Sequence, residues 1–494
     1  MPQPDSFTPK RQLINFQPLL YANGILLMIL ATGMVIPALV DYAYGNDDAF
    51  AFAKAAFLTS FMGAGLFLSN KAEASTLSLR EAFLLTASTW SIMPAFAALP
   101  FVFSELGMSY TDAYFEAMSG LTTTGASVIA DLDIAPPGIL LWRSLLCGLG
   151  GMGVIVMAMA ILPMLSIGGM QLFRTESSDR MRKVLPRSKQ IAAVTCTVFL
   201  TLVTFCTIGY SFAGMPFFDA VNHAFTSVAT GGFSTKNASF REYNSLGIEL
   251  VAIAAMIAGS MPMLFYYQFY RGDVKVFLRS SQVRTFFMTA LFFVVMLTIW
   301  RWQTSETDLL QSFRYTAFNT ISVMTTTGFV STDYDLWGPF AMAVLLVASF
   351  IGGCTGSTTG GVKIYRYQIL FRYAQVALKQ LLQPNGVYVV RYEGMSVPQE
   401  TIMSVLNFFV IYILTLGILT IALSATGMDF LGAFSSIAMA IINMGIGMGP
   451  HVGPAGNFSH LNDVGTWIVS FAMLLGRLEF FTILVLFLPQ FWRD

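Results

Sequence analysis

Residues 119–126 read S-G-L-T-T-T-G-A, and close variants return as T-S-V-A-T-G-G-F at 226–233 and S-V-M-T-T-T-G-F at 322–329. A degenerate fourth copy, M-A-I-I-N-M-G-I, occupies 439–446. Aligned on Gly125, Gly232, Gly328 and Gly445, the copies stand 107, 96 and 117 residues apart, so the chain carries a repeat. Ahead of each glycine lies an apolar stretch too short to cross a bilayer: 111–121, 218–228, 312–324 and 430–441. Three of them open on Asp112, Asp219 and Asp429, a residue type suited to a helix N-terminus.

Outward from these segments the chain is dominated by long apolar runs at 19–40, 50–68, 83–103, 139–165 and 191–212, then 248–269, 286–302, 340–350, 402–423 and 467–488. A span needs roughly 20 apolar residues, which predicts about ten spans. The composition agrees: 55% of residues are hydrophobic and 11% charged, against about 25% charged in soluble domains. Net charge is zero, which offers nothing to a nucleic acid. With both termini on the inner side, twenty of the 27 basic residues fall inside, among them Arg80, Lys189, Arg271, Arg366 and Arg493. Asp47, Asp48, Glu105, Asp131, Asp333 and Asp463 gather outside. The first run lacks a small-residue cleavage site and reads as an uncleaved span.

Each repeat is therefore a span, a short re-entrant helix, an extended glycine segment and a second span. The expected fold is an all-α membrane protein with four pseudo-symmetric span–pore helix–span repeats around a central pore, plus an N-terminal helical hairpin. Its parts are the hairpin at 1–75 and repeats at 76–170, 171–275, 276–395 and 396–494. Non-helical backbone at membrane depth is tolerated where protein or water satisfies its amides, as where four such segments meet on an axis. Glycine supplies positive φ without steric cost, and rings of carbonyls replace the hydration shell of an alkali cation. A single T-T-T-G would read as a turn; four copies in register, each after a short helix, point to a cation filter. Its expected residues are Thr122, Thr123, Thr124 and Gly125; Ala229, Thr230, Gly231 and Gly232; Thr325, Thr326, Thr327 and Gly328; and Ile442, Asn443, Met444 and Gly445.

Residues 351–361, I-G-G-C-T-G-S-T-T-G-G, interrupt an apolar run. Five glycines inside a helix cost roughly 1 kcal/mol each relative to alanine, so a break within the membrane is expected, with close helix packing through small residues as the alternative. Arg477 lies in the last run, where a charge usually faces a cavity or a partner; Glu479, two residues on, is a poor intrahelical partner. Asp112, Glu116 and Asp219 read as carboxylates that concentrate cations at the mouth, and Asp112 and Asp219 read equally as helix caps. His223, His451 and His460 read as dispersed surface or loop residues. Cys147, Cys196, Cys206 and Cys354 show neither metal-site nor disulfide spacing, so no cofactor is expected.

The glycine segments, together with A-T-G-G-F-S-T-K-N at 229–237, F-I-G-G-C-T-G-S-T-T-G-G-V-K at 350–363 and G-R-L-E-F-F-T-I-L-V-L-F-L-P-Q-F-W-R at 476–493, resemble the Trk/Ktr/HKT superfamily of potassium transporters, in its bacterial TrkH/TrkG-type branch. The resemblance runs from about residue 80 to the end. It implies potassium uptake across a bacterial inner membrane, a homodimer with one pore per subunit, and a cytosolic nucleotide-binding regulatory partner. It further implies a gate at Gly352, Gly353, Gly356, Ser357, Gly360 and Gly361, and a pore charge at Arg477 that lowers cation residence. In related proteins a serine at the first filter glycine goes with sodium permeation; glycine at all four positions here favours potassium. Ile442, Asn443 and Met444 depart from the threonine-rich pattern, which puts a strictly four-fold site in doubt. The basic segments 174–189 and 271–284 and the polar segment 380–399 are expected topology determinants or docking sites.

Two other classes compete. A secondary transporter coupling cation uptake to protons or sodium often uses inverted repeats and a midplane site with ionisable residues; the repeats here are parallel, with Arg477 the one mid-span charge of note. A membrane enzyme would need paired carboxylates, H-E-x-x-H or a nucleophile motif, and none lies in or near a span.

Overall fold

The structure is a computed structural model in which residues 14–70, 78–160, 188–449 and 451–493 are described. The basic segment at 174–187 and the end of the run at 139–165 lie outside the described residues.

The N-terminal hairpin pairs helices Gln17–Tyr44 and Asp48–Ser69. Repeat 1 follows with Leu79–Phe103, the pore helix Tyr110–Leu121 and Pro137–Ala160. Repeat 2 has Ser188–Phe212, the pore helix Phe217–Val228, and Leu246–Ser260 with Met263–Tyr270. Repeat 3 has Ser281–Thr304, the pore helix Leu309–Met324, Pro339–Ile351 and Ile364–Leu382. Repeat 4 has Gln399–Ser424, the pore helix Phe430–Ile442, and Asp463–Arg477 followed by Phe481–Leu484. A two-stranded antiparallel ribbon, Arg391–Tyr392 against Met395–Ser396, stands between the last two repeats. The protein is thus an all-α multi-pass membrane protein.

Among the described residues seven helices are long and apolar enough to span, and nine if two bent pairs each count as one span. Among the described residues two of the expected runs are broken, and a third break follows the run at 340–350. Leu246–Ser260 and Met263–Tyr270 meet at 93°. Pro262 lacks an amide proton and forces Met261 into an extended conformation, which ends the helix there. The last run bends by 108° after Arg477, where Glu479 and Phe480 both take left-handed backbone angles, φ 56° and 55°. Hydropathy carries no trace of that second break. The third is the glycine segment, non-helical from Gly352 to Lys363 between Pro339–Ile351 and Ile364–Leu382.

The pore helices are largely enclosed, the first most of all; every residue from Ala113 to Leu121 is buried. Three of the four start at side chains that satisfy orphan amides. Ser109 accepts from the Asp112 amide, Asp308 from Gln311 and Asp429 from Gly432. Asp308 therefore starts the third helix at Leu309, three residues before the expected Ser312. Asp112 and Asp219 sit in the first turn rather than at the cap, where a carboxylate still complements the helix dipole.

Candidate functional site

Each pore helix ends in the same closure. The residue two before each aligned glycine takes a left-handed conformation: Thr123 at φ 52°, Thr230 at 50°, Thr326 at 57° and Asn443 at 56°. The residue after it donates its amide five residues back: Thr124 to Ser119 O at 2.8 Å, Gly231 to Thr226 O at 2.8 Å, Thr327 to Ser322 O at 2.8 Å and Met444 to Met439 O at 2.9 Å. This is the six-to-one bond of a Schellman turn. A β-branched residue is a real outlier at positive φ, whereas asparagine tolerates it. The sequence-divergent fourth copy thus has the same backbone as the other three.

The glycines fit the strands to one another. A Cβ on Gly125 would overlap Gly231 O, one on Gly232 would overlap Thr327 O, and one on Gly445 would overlap the backbone of Gly125. Gly328 is the looser contact, its nearest neighbour Gly445 N at 3.5 Å. Strand 1 therefore abuts strand 2, strand 2 abuts 3, 3 abuts 4 and 4 returns to 1, so the four close a ring in chain order. Positive φ accounts for Gly125, Gly232 and Gly328, at 85°, 68° and 86°, but Gly445 is not among the positive-φ residues. At Gly445 the requirement is space alone.

The hydroxyls follow a two-fold pattern. Thr122 Oγ1 pairs with Thr124 Oγ1 at 2.8 Å, and Thr325 Oγ1 with Thr327 Oγ1 at 2.8 Å. Ala229 and Gly231 in repeat 2, and Ile442 and Met444 in repeat 4, cannot make that pair. Thr123 Oγ1 is buried without a hydrogen-bond partner.

The glycine-rich loop hangs from these strands. Thr358 Oγ1 donates to Val228 O at 3.0 Å and Gly259 O at 2.9 Å, and Thr230 Oγ1 reaches Thr358 Oγ1 at 3.2 Å. The Gly360 amide donates to Thr326 Oγ1 at 2.8 Å, and the Gly361 amide to Ile442 O at 2.9 Å. Gly352, Gly356 and Gly361 sit at positive φ, and a Cβ on Gly353 would meet Thr359 and Ser260. Ser357 Oγ bonds back to Cys354 O at 2.6 Å. Arg477, 4% exposed, donates from Nη2 to Thr358 O at 3.1 Å, and its Nε has no partner. Beneath the loop lies a cavity lined by Thr359, Lys363, Arg366, Asn443, Arg477 and Glu479. Lys363 Nζ is held by Thr359, and Arg366 forms an ion pair with Glu479.

Several sequence readings change. Glu116 is fully buried and lies 2.6 Å from Arg143 Nε, so it is not a carboxylate of the mouth. Asp219 is buried against Thr235 Oγ1 at 2.7 Å, while Asp112 stays at the surface on Ser109. His223 is fully buried, not a surface residue, because its ring packs among Phe240, Tyr243 and Phe329. His451 and His460 are exposed, their rings 5.1 Å apart, and partial burial with the neighbouring His451 lowers the pKa of His460. Arg477 is not the one buried charge: Asp41, Arg143, Glu249 and Arg366 are buried too. Their signal was present, since each is an ionisable residue in or beside an apolar run. Among the described residues no group of three or more His, Cys, Asp or Glu could hold a metal ion.

These features define a protein in which four re-entrant segments ring one axis above an interrupted span. Residues 48–493 match the model of the TrkH family, described as cation transport proteins. The chain is 38% identical to the Trk system potassium uptake protein TrkI of Halomonas elongata, over 98% of each chain. It is 37% identical to the Escherichia coli Trk system potassium uptake protein TrkH, over 97% of this chain and 100% of that one. The crystal structure of the potassium transporter TrkH from Vibrio parahaemolyticus superposes with a TM-score of 0.90 at 35% identity, over 97% of this chain and all of that one. The chain belongs to the TrkH family, which is a family of transporters and not of enzymes.

Proposed function

We propose that this protein takes potassium into a bacterial cell across the inner membrane. The ion passes the ring of strands at 122–125, 229–232, 325–328 and 442–445, where backbone carbonyls replace its water. The repeats at 76–170, 171–275, 276–395 and 396–494 are the units of that pore, and 1–75 is a peripheral hairpin. The loop from Gly352 to Gly361 is the gate, and Arg477 is the charge that keeps a cation from resting beneath the filter. The observation that carries this reading is the shared closure of all four strands around one ring, in a chain aligned almost end to end with proteins named for potassium uptake.

The active form is a homodimer with a pore in each subunit and both termini in the cytoplasm. A cytosolic nucleotide-binding subunit sets the gate by docking on the inner face, where 380–399 carries the exposed ribbon. Cation flux into reconstituted vesicles, compared for potassium, rubidium, sodium and lithium, tests the reading. Potassium and rubidium are expected to pass well ahead of sodium and lithium. Equal sodium and potassium flux overturns selection at the ring, and uptake that requires an imposed proton or sodium gradient overturns passive conduction.

A further inference from the structure

Counting back nine residues from each filter glycine reaches Glu116, His223, Asn319 and Ser436. All four are fully buried, on the pore helices. The first three reach forward to the strand that leaves the filter. Glu116 accepts from Ser127 Oγ at 3.0 Å and from the Val128 amide at 3.0 Å. His223 donates Nδ1–H to Asp219 O at 2.8 Å, and its Nε2 meets Ser234 Oγ at 3.0 Å. Asn319 donates to Ser331 Oγ at 2.9 Å and accepts from the Ser331 amide at 3.3 Å. In repeat 4 Ser436 turns to Met428, and the task passes to its neighbour. Ser435 Oγ donates to Met448 O at 3.1 Å and accepts from the Met448 amide at 3.3 Å. The side-chain or backbone groups held lie two or three residues past the glycine in every copy.

Buried polar groups need partners, and partner-finding alone would explain one such contact. It does not explain why a carboxylate, an imidazole, an amide and a hydroxyl all serve the same point along the chain. What is common is the strut, not its chemistry. Arg143 then joins two struts: its Nε bonds Glu116, its Nη1 donates to Ser234 O at 2.9 Å, and its guanidinium lies 4.0 Å over the Phe233 ring.

We propose that Glu116, His223, Asn319 and Ser435, with Arg143 bridging the first two, are positioning residues for ion selection. They never touch the ion. They hold the outgoing end of each filter strand, as the pore-helix closure holds the incoming end, so that the carbonyl ring cannot contract around a smaller cation. The proposal rests on the reading of the four glycine segments as the filter.

The test uses the full-length protein in vesicles and the ratio of potassium to sodium flux. Ser127→Ala, Ser234→Ala and Ser331→Ala each remove one hydroxyl without burying an unpaired charge. Each is expected to lower the ratio roughly three- to tenfold, the scale of one lost hydrogen bond, with potassium flux retained. Ser234→Thr keeps a hydroxyl and is expected to keep the ratio. Folded variants with an unchanged ratio overturn the proposal, as does an equal fall in all cation fluxes, which marks a merely structural bond. A wild-type protein that passes sodium as readily as potassium overturns the filter reading itself, and the struts with it.

Discussion

Asn443 Nδ2 donates to Thr124 Oγ1 at 3.2 Å and to Met473 O at 2.9 Å, so the most divergent glycine strand is tied both to the first strand and to the last span. Its residue type suits this place twice over. It tolerates the left-handed backbone at φ 56°, and its amide supplies donors that a threonine could not direct to both acceptors.

Two substitutions separate those contributions. Asn443→Gly keeps the backbone conformation and loses the two bonds; Asn443→Ala loses both and adds left-handed strain of about 1 kcal/mol. The alanine variant is expected to melt at the lower temperature in detergent. Equal melting points would show that the backbone angle does not matter there.

The four aligned glycines should not respond alike to alanine. At Gly125, Gly232 and Gly445 the new methyl overlaps neighbouring backbone, which cannot swing aside, and potassium uptake is expected to be lost. At Gly328 the nearest atom is 3.5 Å away, leaving only the cost of positive φ, and partial uptake is expected. Growth on low potassium, in a strain without other uptake systems, reads the order directly.

Thr358 binds the loop to Val228 O and Gly259 O, and Arg477 binds to Thr358 O. Thr358→Val keeps the shape and removes the hydroxyl bonds, and Arg477→Ala removes the anchor from the other side. Both are expected to raise basal potassium flux severalfold. Flux equal to wild type in the two variants would remove the gate from this loop.

Arg366 is 1% exposed, pairs with Glu479 and lies 3.8 Å over the Phe408 ring. The pair joins the helix that follows the loop to the bend that follows Arg477. Glu479→Ala leaves a buried guanidinium without its counter-charge, a change that typically costs about 3–5 kcal/mol. Glu479→Gln, which keeps an acceptor, should cost less. Thermal unfolding of the two proteins checks the order.

Asp335 lies in the turn after the third glycine strand and accepts from the Gly449 amide at 2.9 Å. Burial lifts its pKa from 3.8 to about 6, with Asp333 adding to the rise and the Gly449 bond opposing it. A raised carboxyl pKa means that the folded protein holds this proton more tightly than the unfolded chain. Its contribution to stability is therefore full below the unfolded value, is lost as pH rises to the folded value, and is level above it. Melting temperatures of wild type and Asp335→Asn, taken from pH 4 to pH 7, should diverge across that window in favour of the variant. Parallel curves would exclude the effect.

Much of this was legible in local sequence, because short-range chemistry encodes it. Alternation of apolar runs and short segments located the spans and pore helices, and the recurring glycine placed the four strands in register. Clustered glycines marked the break after Ile351, and Pro262 marked another for any reader who weighed it. Tertiary structure alone decided the rest. That Glu116 faces Arg143 instead of water, that His223 is buried, and that Arg366 meets Glu479 across 113 residues are outcomes of packing between elements. The bend at Glu479 and Phe480 uses residues with no intrinsic taste for positive φ, so nothing local announces it. Asn443 looked like a lost ligand in the sequence; in the ring it is the tie between the fourth strand and the first. A single sequence states which residues a strand contains, but which strand stands beside it is settled only when the ring closes.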